Sequence, residues 1–400
     1  MGVRMNIMVI PAFFQTKSRP TVGSFFLEQA KALKQAGHQV VMLYCDTYSV
    51  KCIGEWLGYE EQEADWIDGV SVYRKKTFCP LKHGMEGHRS AFTRGIAALY
   101  ETQIKGRIQI DIIHAHCCVW AGTAAMALSK QTGIPYVITE HATMFQLHRD
   151  QISRKNDQYI TQAFQGAARV LCVSRAFREV LTPYRKQSEI QVVGNVVDCD
   201  FFQQTNRGAE ACQDKEKFTF FSLCYMQTDD QLRKKGIDIL LQAWRTLRRT
   251  CPQARLVVGG GGQALQKAVK WCKEYGIQDT VVFLGALDRQ QTAAQMAACD
   301  CFVLPSRYET FGVVYIEAMA SGKPVIATAC GGPDDFVTQE NGLLVPVGEV
   351  SALARAMQQM MTSRHQYDSD KIRESVQSRF SSQAIAGQLE QIYSAVLNSI

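Results

Sequence analysis

Short, continuous apolar runs alternate along this chain with longer stretches in which apolar residues recur every three or four positions. In the first half the runs are Ile7–Ile10, Val40–Tyr44, Ile110–His114, Tyr136–Thr139 and Val170–Val173. Such runs lack the in-and-out alternation of a half-solvated sheet, so they predict strands covered on both faces. The intervening stretches Ser24–Ala36 and Trp120–Lys130 close at or near Gly37 and Gly133, as amphipathic helices do. The pattern then restarts. Strands are expected at Phe218–Leu223, Arg255–Val258, Val281–Leu284, Cys301–Leu304 and Pro324–Ala327, with helices at Gly236–Arg249, Gln263–Tyr275, Arg289–Ala298 and Gly312–Ala320.

Strand and helix alternating twice over predict an α/β protein of two doubly wound, Rossmann-like domains facing a central cleft. The expected boundaries are 1–200 for the first domain and 218–375 for the second. The polar stretch 201–217 reads as a linker, and 376–400 as a C-terminal helix that could pack back on the first domain. Ligands of open α/β sheets bind beyond the carboxyl ends of the strands. The chemistry is therefore expected on loops that follow strands.

Composition narrows the class. The chain has 400 residues, 46% hydrophobic and 20% charged, enough for a core that needs no staples. Its 14 cysteines are scattered without a C-x-x-C pair, which predicts reduced thiols and excludes a zinc site. No apolar run reaches the roughly 18 residues of a membrane span. The Asn6–Phe14 stretch is too short for a targeting segment and carries Pro11, and Met1-Gly2 lacks the Ser or Thr at position 6 that myristoylation requires. These features point to a cytoplasmic protein that could still sit at the inner face of a membrane. A formal charge of +6 is too mild for a nucleic-acid binder.

The richest segment is Pro305-Ser306-Arg307-Tyr308-Glu309-Thr310-Phe311-Gly312-Val313-Val314-Tyr315-Ile316-Glu317-Ala318. It leaves a predicted strand and opens a predicted helix near Gly312. Along a continuous helix, carboxylates eight residues apart would lie roughly 12 Å from each other. That is too far for a glycosidase pair, which needs roughly 5–9.5 Å. Glu309 and Glu317 could instead hold opposite ends of an elongated polar ligand. Between them, the first amides of Phe311, Gly312 and Val313 form a candidate anion site at a helix N-terminus.

This segment resembles the E-x7-E motif of glycosyltransferase family 4, the retaining GT-B nucleotide-sugar transferases. The resemblance extends through Ala318–Ala327, Gly331-Gly332-Pro333 and Asn341–Pro346, and upstream to Asn195–Asp198, Gly259–Gly262 and Phe283-Leu284-Gly285. It implies that Glu309 contacts the transferred sugar and Glu317 the ribose, with Leu287, Phe311, Gly312 and Val313 completing the donor contacts. Lys235 looks like the family's diphosphate lysine, and His141 in Thr139-Glu140-His141-Ala142 like its sugar-contacting histidine. Gly23, before the first predicted helix, stands where the backbone approaches the ligand. The implied donor is a UDP- or GDP-sugar bound without a metal cofactor. The implied acceptor is a hydroxyl of a glycan or lipid-linked molecule in cell-surface polysaccharide or glycolipid synthesis.

The chain also departs from the family. Cys224-Tyr225 replaces the usual Gly-Arg, and the stretch Met226–Lys234 before Lys235 is longer. Arg233 or Lys234 are the nearby cations that could substitute. Two competing readings follow: an epimerase or hydrolase on the same fold, or a non-catalytic binding partner. His114-Ala115-His116 places two rings on one side of a strand but lacks a third ligand for a metal. Gly259-x-Gly261-x-x-Ala264 mimics a dinucleotide fingerprint without its acidic residue. Asp198-Cys199-Asp200 mimics a metal motif but falls at the expected hinge.

Charge is uneven. Residues 1–200 carry 23 Lys and Arg against 18 Asp and Glu, so nearly all the excess lies in the first domain. Residues 70–107 alone hold Arg74, Lys75, Lys76, Lys82, Arg89, Arg94, Lys105 and Arg107. This is either a solvated face or a surface for an anionic membrane or phosphate-bearing lipid.

Overall fold

A computed structural model describes residues 4–16, 22–49, 65–79, 84–209 and 217–399. The chain divides into two compact units, one of residues 1–196 with 382–400, the other of residues 197–381.

The first unit is built on strands β1 (Asn6–Pro11), β2 (Gln39–Ser49), β3 (Asp65–Ile67), β4 (Val70–Cys79), β5 (Ile112–His116), β6 (Tyr136–Glu140), β7 (Arg169–Cys172) and β8 (Ile190–Val192). They order as β3-β4-β2-β1-β5-β6-β7-β8. All neighbours run parallel except β3 and β4. The central strands are buried along their whole length, as their continuous apolar sequence requires. The chain doubles back on either side of β1, between β2 and β5, which makes the ends of β1 and β5 the switch point of this sheet. The antiparallel hairpin β3–β4 was not foreseen. It turns at Asp68-Gly69, both at positive φ, the Asp-Gly signature of a tight hairpin.

The second unit carries β9 (Phe218–Leu223), β10 (Ala254–Gly259), β11 (Val281–Gly285), β12 (Cys301–Leu304), β13 (Val325–Thr328) and β14 (Gly342–Val345). Their order is β11-β10-β9-β12-β13-β14, all parallel. This is the Rossmann arrangement, with its switch point between β9 and β12. Those two strands register only at Cys301–Phe220 and Phe302–Phe221, which leaves a crevice where the loops after Leu223 and Leu304 begin.

Two expectations at the boundaries need correction. Much of the stretch 201–217 is not a linker: Cys199–Ala209 is a helix of the second unit, packed on helices Arg289–Ala298 and Val313–Ala320. Asp198 stands just before this helix and just after the chain passes from the first unit to the second at 196–197. One carboxylate oxygen accepts from the Phe201 amide at 3.1 Å and the other pairs with Arg289 at 2.9 Å. Residues 210–216 lie outside the described residues. The C-terminal stretch is likewise divided: helix Ser369–Phe380 stays in the second unit, and helix Ser382–Leu397 packs on helix Ser24–Gln35 of the first.

The 12 described cysteines are all free thiols, ten of them buried; Cys52 and Cys212 lie outside the described residues. No described helix is long and apolar enough to cross a membrane. The basic segment 70–107 is not one charged face. Arg74 and Arg89 are buried, Arg74 donating to the Gln15 carbonyl at 2.8 Å and Arg89 to Asn156 at 3.2 Å. Lys105 pairs with Glu101, and Lys82 lies outside the described residues.

Candidate active site

In the second unit the loops at the switch point bring Lys235 and Glu309 together. The loop after β9 runs through a six-residue helix, Asp229–Lys234, into a turn at Lys235-Gly236, from which helix Ile237–Leu247 starts. Gly236 has φ 68, and a Cβ placed there would stand 1.9 Å from the Pro305 carbonyl oxygen. Only glycine lets this turn press against the exit of β12. The loop after β12 then reaches Glu309, whose backbone is tied to the exit of β13. The Gly332 amide donates to the Glu309 carbonyl at 2.9 Å.

Lys235 Nζ lies 2.6 Å from Glu309 Oε1, and Ser306 Oγ donates to the same oxygen at 2.7 Å. Glu309 is almost enclosed, while Lys235 is a quarter exposed. Burial works against the charge on Lys235, but the Glu309 carboxylate beside it holds its pKa above the ordinary lysine value. Lys234 is pulled the other way, by burial first and then by repulsion from Lys235. Burial pushes the nearby thiols of Cys224 and Cys330 up to about 12, so both stay protonated.

Gly312 has φ 96 and opens helix Val313–Ala320. A Cβ there would sit 2.6 Å from the Tyr315 ring, and Tyr315 is locked by its hydroxyl donating to the Leu304 carbonyl at 2.5 Å. Phe311 is buried against Phe336 and Phe380, so its side chain is part of the core and only its backbone is at the turn. Glu317 lies on the helix itself, half-buried, whereas Glu309 lies in the loop. Arg233 is exposed at the end of its short helix, and Leu287 is half-buried in the loop after β11.

In the first unit the chemistry gathers at the ends of β5 and β6. His116 Nδ1 and His141 Nε2 share a hydrogen at 3.1 Å. His114 is fixed on both sides, by Thr139 at 2.7 Å and by Tyr393 of the C-terminal helix at 2.6 Å. Burial, reinforced by His114 nearby, drives the His141 pKa down to about 3. Burial alone takes His114 to about 3, and His116 is held well below its ordinary value by burial and its two neighbours. All three are neutral near pH 7. His141 is thus largely enclosed, with Phe25 and Phe26 against its ring. Gly23, at φ 72, caps the helix that carries both phenylalanines.

Sequence reasoning passed over Glu140. It is fully buried, and its carboxyl group accepts from the amides of Cys118 at 2.6 Å, Ala142 at 2.7 Å and His141 at 2.9 Å. Burial raises its pKa to about 7 against the pull of those donors. It ties the loops after β5 and β6 together. Cys117, at the first of these loops, is held at φ 70, which a non-glycine residue seldom adopts. Among the described residues, no group of three or more His, Cys, Asp or Glu side chains is placed to hold a metal ion.

Comparison with known proteins agrees with this arrangement. Residues 22–201 match the family described as Glycosyltransferase Family 4, and residues 228–379 match Glycosyl transferases group 1. The chain is 29% identical to the D-inositol 3-phosphate glycosyltransferase of Corynebacterium aurimucosum over 335 residues, 77% of this chain and 76% of that one. Among solved structures it resembles the sucrose-phosphate synthase of Thermosynechococcus elongatus, with a TM-score of 0.78 at 22% identity over 99% of this chain and 100% of that one. It also resembles HepE of Anabaena in complex with UDP, with a TM-score of 0.72 at 19% identity over 98% and 100%. With one of these family matches on each unit and two Rossmann-like sheets beneath them, the chain belongs to the family 4-like glycosyltransferases of GT-B type and is a transferase enzyme.

Proposed function

We propose that the enzyme transfers a sugar from a nucleoside-diphosphate sugar to a hydroxyl of a glycan or lipid-linked acceptor, with retention of anomeric configuration. The observation that carries this reading is the Lys235–Glu309 pair at the switch point, beside the N-terminus of helix Val313–Ala320. Departure of a nucleoside diphosphate concentrates negative charge on the phosphate oxygens. An ammonium group and helix amides fixed in advance stabilise that charge more than they stabilise the intact donor. No metal is needed for this step. The UDP bound by HepE makes UDP-sugars the first donors to try, and GDP-sugars the second.

In this reading Glu309 accepts from the sugar's hydroxyls, Glu317 holds the ribose and Lys235 faces the diphosphate. Arg233, Leu287 and the backbone of Phe311, Gly312 and Val313 complete the donor contacts within the second unit. The bond from the anomeric carbon to the phosphate oxygen breaks, and the acceptor oxygen bonds to that carbon on the same face. The acceptor proton passes to the departing phosphate, so no separate base is required.

The test is Glu309→Ala, assayed with a panel of UDP- and GDP-sugars by mass spectrometry of released nucleotide. Turnover should fall about 100-fold or more, as when one fixed polar contact to a transition state is removed. A variant that turns over as fast as the parent overturns the assignment. Nuclear magnetic resonance of the product reports the anomer, and an inverted linkage overturns retention.

A further inference from the structure

The turn that presents Lys235 is also held by Arg307 of the facing loop. The Arg307 amide donates to the Lys234 carbonyl at 2.7 Å, and its guanidinium donates to the Arg233 carbonyl. The same guanidinium grips the Asp238 carboxylate in two parallel bonds, Nη1 to Oδ1 at 2.7 Å and Nη2 to Oδ2 at 2.8 Å. Arg307 thus engages the chain on both sides of Lys235, at 233–234 before it and at 238 after it. It lies two residues before Glu309, so the links that fix the lysine also fix the carboxylate it meets. The Asp238 bonds raise the Arg307 pKa further above its usual value.

Isolated surface ion pairs contribute little. This one differs: it is bidentate, Asp238 is largely enclosed, and two backbone carbonyls of the same turn share the guanidinium and its amide. A lysine at 307 would supply the charge but not the fork. We infer that Arg307 and Asp238 are the positioning pair of the Lys235 cation, holding it on the diphosphate of the donor. This rests on the role proposed above for Lys235.

The test is calorimetric titration of the full chain with UDP and GDP, and with uridine and guanosine as probes that lack the diphosphate. Arg307→Ala should weaken the diphosphate about tenfold, the equivalent of one charge-assisted hydrogen bond, and leave the nucleoside unchanged. Arg307→Lys should behave the same way, although it keeps the charge. In a Lys235→Ala background, Arg307→Ala should cost nothing further. Equal weakening of nucleoside and diphosphate, or losses that multiply in the double variant, would show a merely structural residue and overturn the inference while the Lys235 role stands. Unchanged diphosphate affinity in Lys235→Ala, or a parent chain that binds neither UDP nor GDP, overturns that role and this inference with it. If Arg307→Ala does not fold, Arg307→Lys and Asp238→Asn carry the same comparison.

Discussion

Replacing Gly236 by alanine tests the packing that joins the two halves of the second unit's site. The added Cβ would stand 1.9 Å from the Pro305 oxygen and 2.7 Å from its carbonyl carbon. Both are backbone atoms, so the loops must part by roughly 1 Å or more before ordinary contact is restored. Holding a non-glycine residue at φ 68 costs about 1–2 kcal/mol, and forcing an extra group into packed backbone costs about 1–3 kcal/mol more. The stiffer unfolded chain returns about 0.4–1 kcal/mol. The net expectation is a loss of about 1–5 kcal/mol. For a unit of this size that lowers the melting temperature by about 2–20 °C. The loops that separate are those carrying Lys235 and Glu309, so turnover should fall as well, by up to about 100-fold for a displacement of this size. Gly387 is the control: it lies within helix Ser382–Leu397 with nothing inside 4 Å of its would-be Cβ, and alanine there should stabilise by about 0.5–1 kcal/mol. Scanning calorimetry gives the stability of each variant, and hydrogen exchange at Ile237–Leu247 localises the change. A Gly236→Ala protein that melts with the parent and turns over normally would refute the argument.

The buried histidines predict an acid response in the first unit. A base whose folded pKa is depressed takes up its proton only on unfolding, so its stability is complete above about 6.5 and is lost as the pH falls toward about 3 for His114 and His141. Each such histidine should add up to about 1.4 kcal/mol per pH unit to the slope. Glu140, raised to about 7, runs the other way: its burial penalty is absent below about 4.5 and complete above about 7, so it offsets part of the loss between those values. Urea unfolding between pH 6 and 4 should show His114→Phe with a slope shallower by about one proton, and an unchanged slope would contradict the buried neutral state. Tyr393→Phe should cost about 1–3 kcal/mol, because it leaves the enclosed His114 Nδ1 without the hydroxyl now 2.6 Å away. A urea midpoint equal to the parent's would mean that this contact contributes nothing.

What the sequence revealed is what its local patterns encode. The central strands are buried on both faces, so their residues are apolar without interruption, and helices Ser24–Gln35 and Thr123–Thr132 run out at Gly37 and Gly133. The helix expected at Arg289–Ala298 has those bounds in the structure, where Asp288 and Gln291 form a complete capping box at its start. The Asp68-Gly69 hairpin had an equally local signal, but the strand after it carries Arg74, Lys75 and Lys76, and charge masked its alternation. The helix Cys199–Ala209 escaped for a related reason. Its apolar anchorage is short, with Phe202 buried and Phe201 under the Arg289 guanidinium, and the rest is polar. Net charge was the least legible property. A count over 70–107 weighs Arg74 and Arg89 like surface lysines, although both are internal and satisfy polar groups brought from Gln15 and Asn156.

The site divides along the same line. Glu309, Glu317 and Gly312 occupy one contiguous stretch that resembles a family motif, and Lys235 stands beside a glycine that marks a turn, so each is a candidate on that resemblance. The residues that hold them could not be named that way. Arg307 meets Asp238 across 69 positions, His116 meets His141 across 25, and Tyr393 reaches His114 across 279. Such contacts leave no period and no spacing; they exist because the sheet brings the ends of its strands to one edge and because the C-terminal helix returns to the first unit. A residue that would touch a ligand can be recognised by its motif. A residue that ties loops together, such as Arg307 or Glu140, becomes visible only when the fold shows which carbonyl or amide it holds.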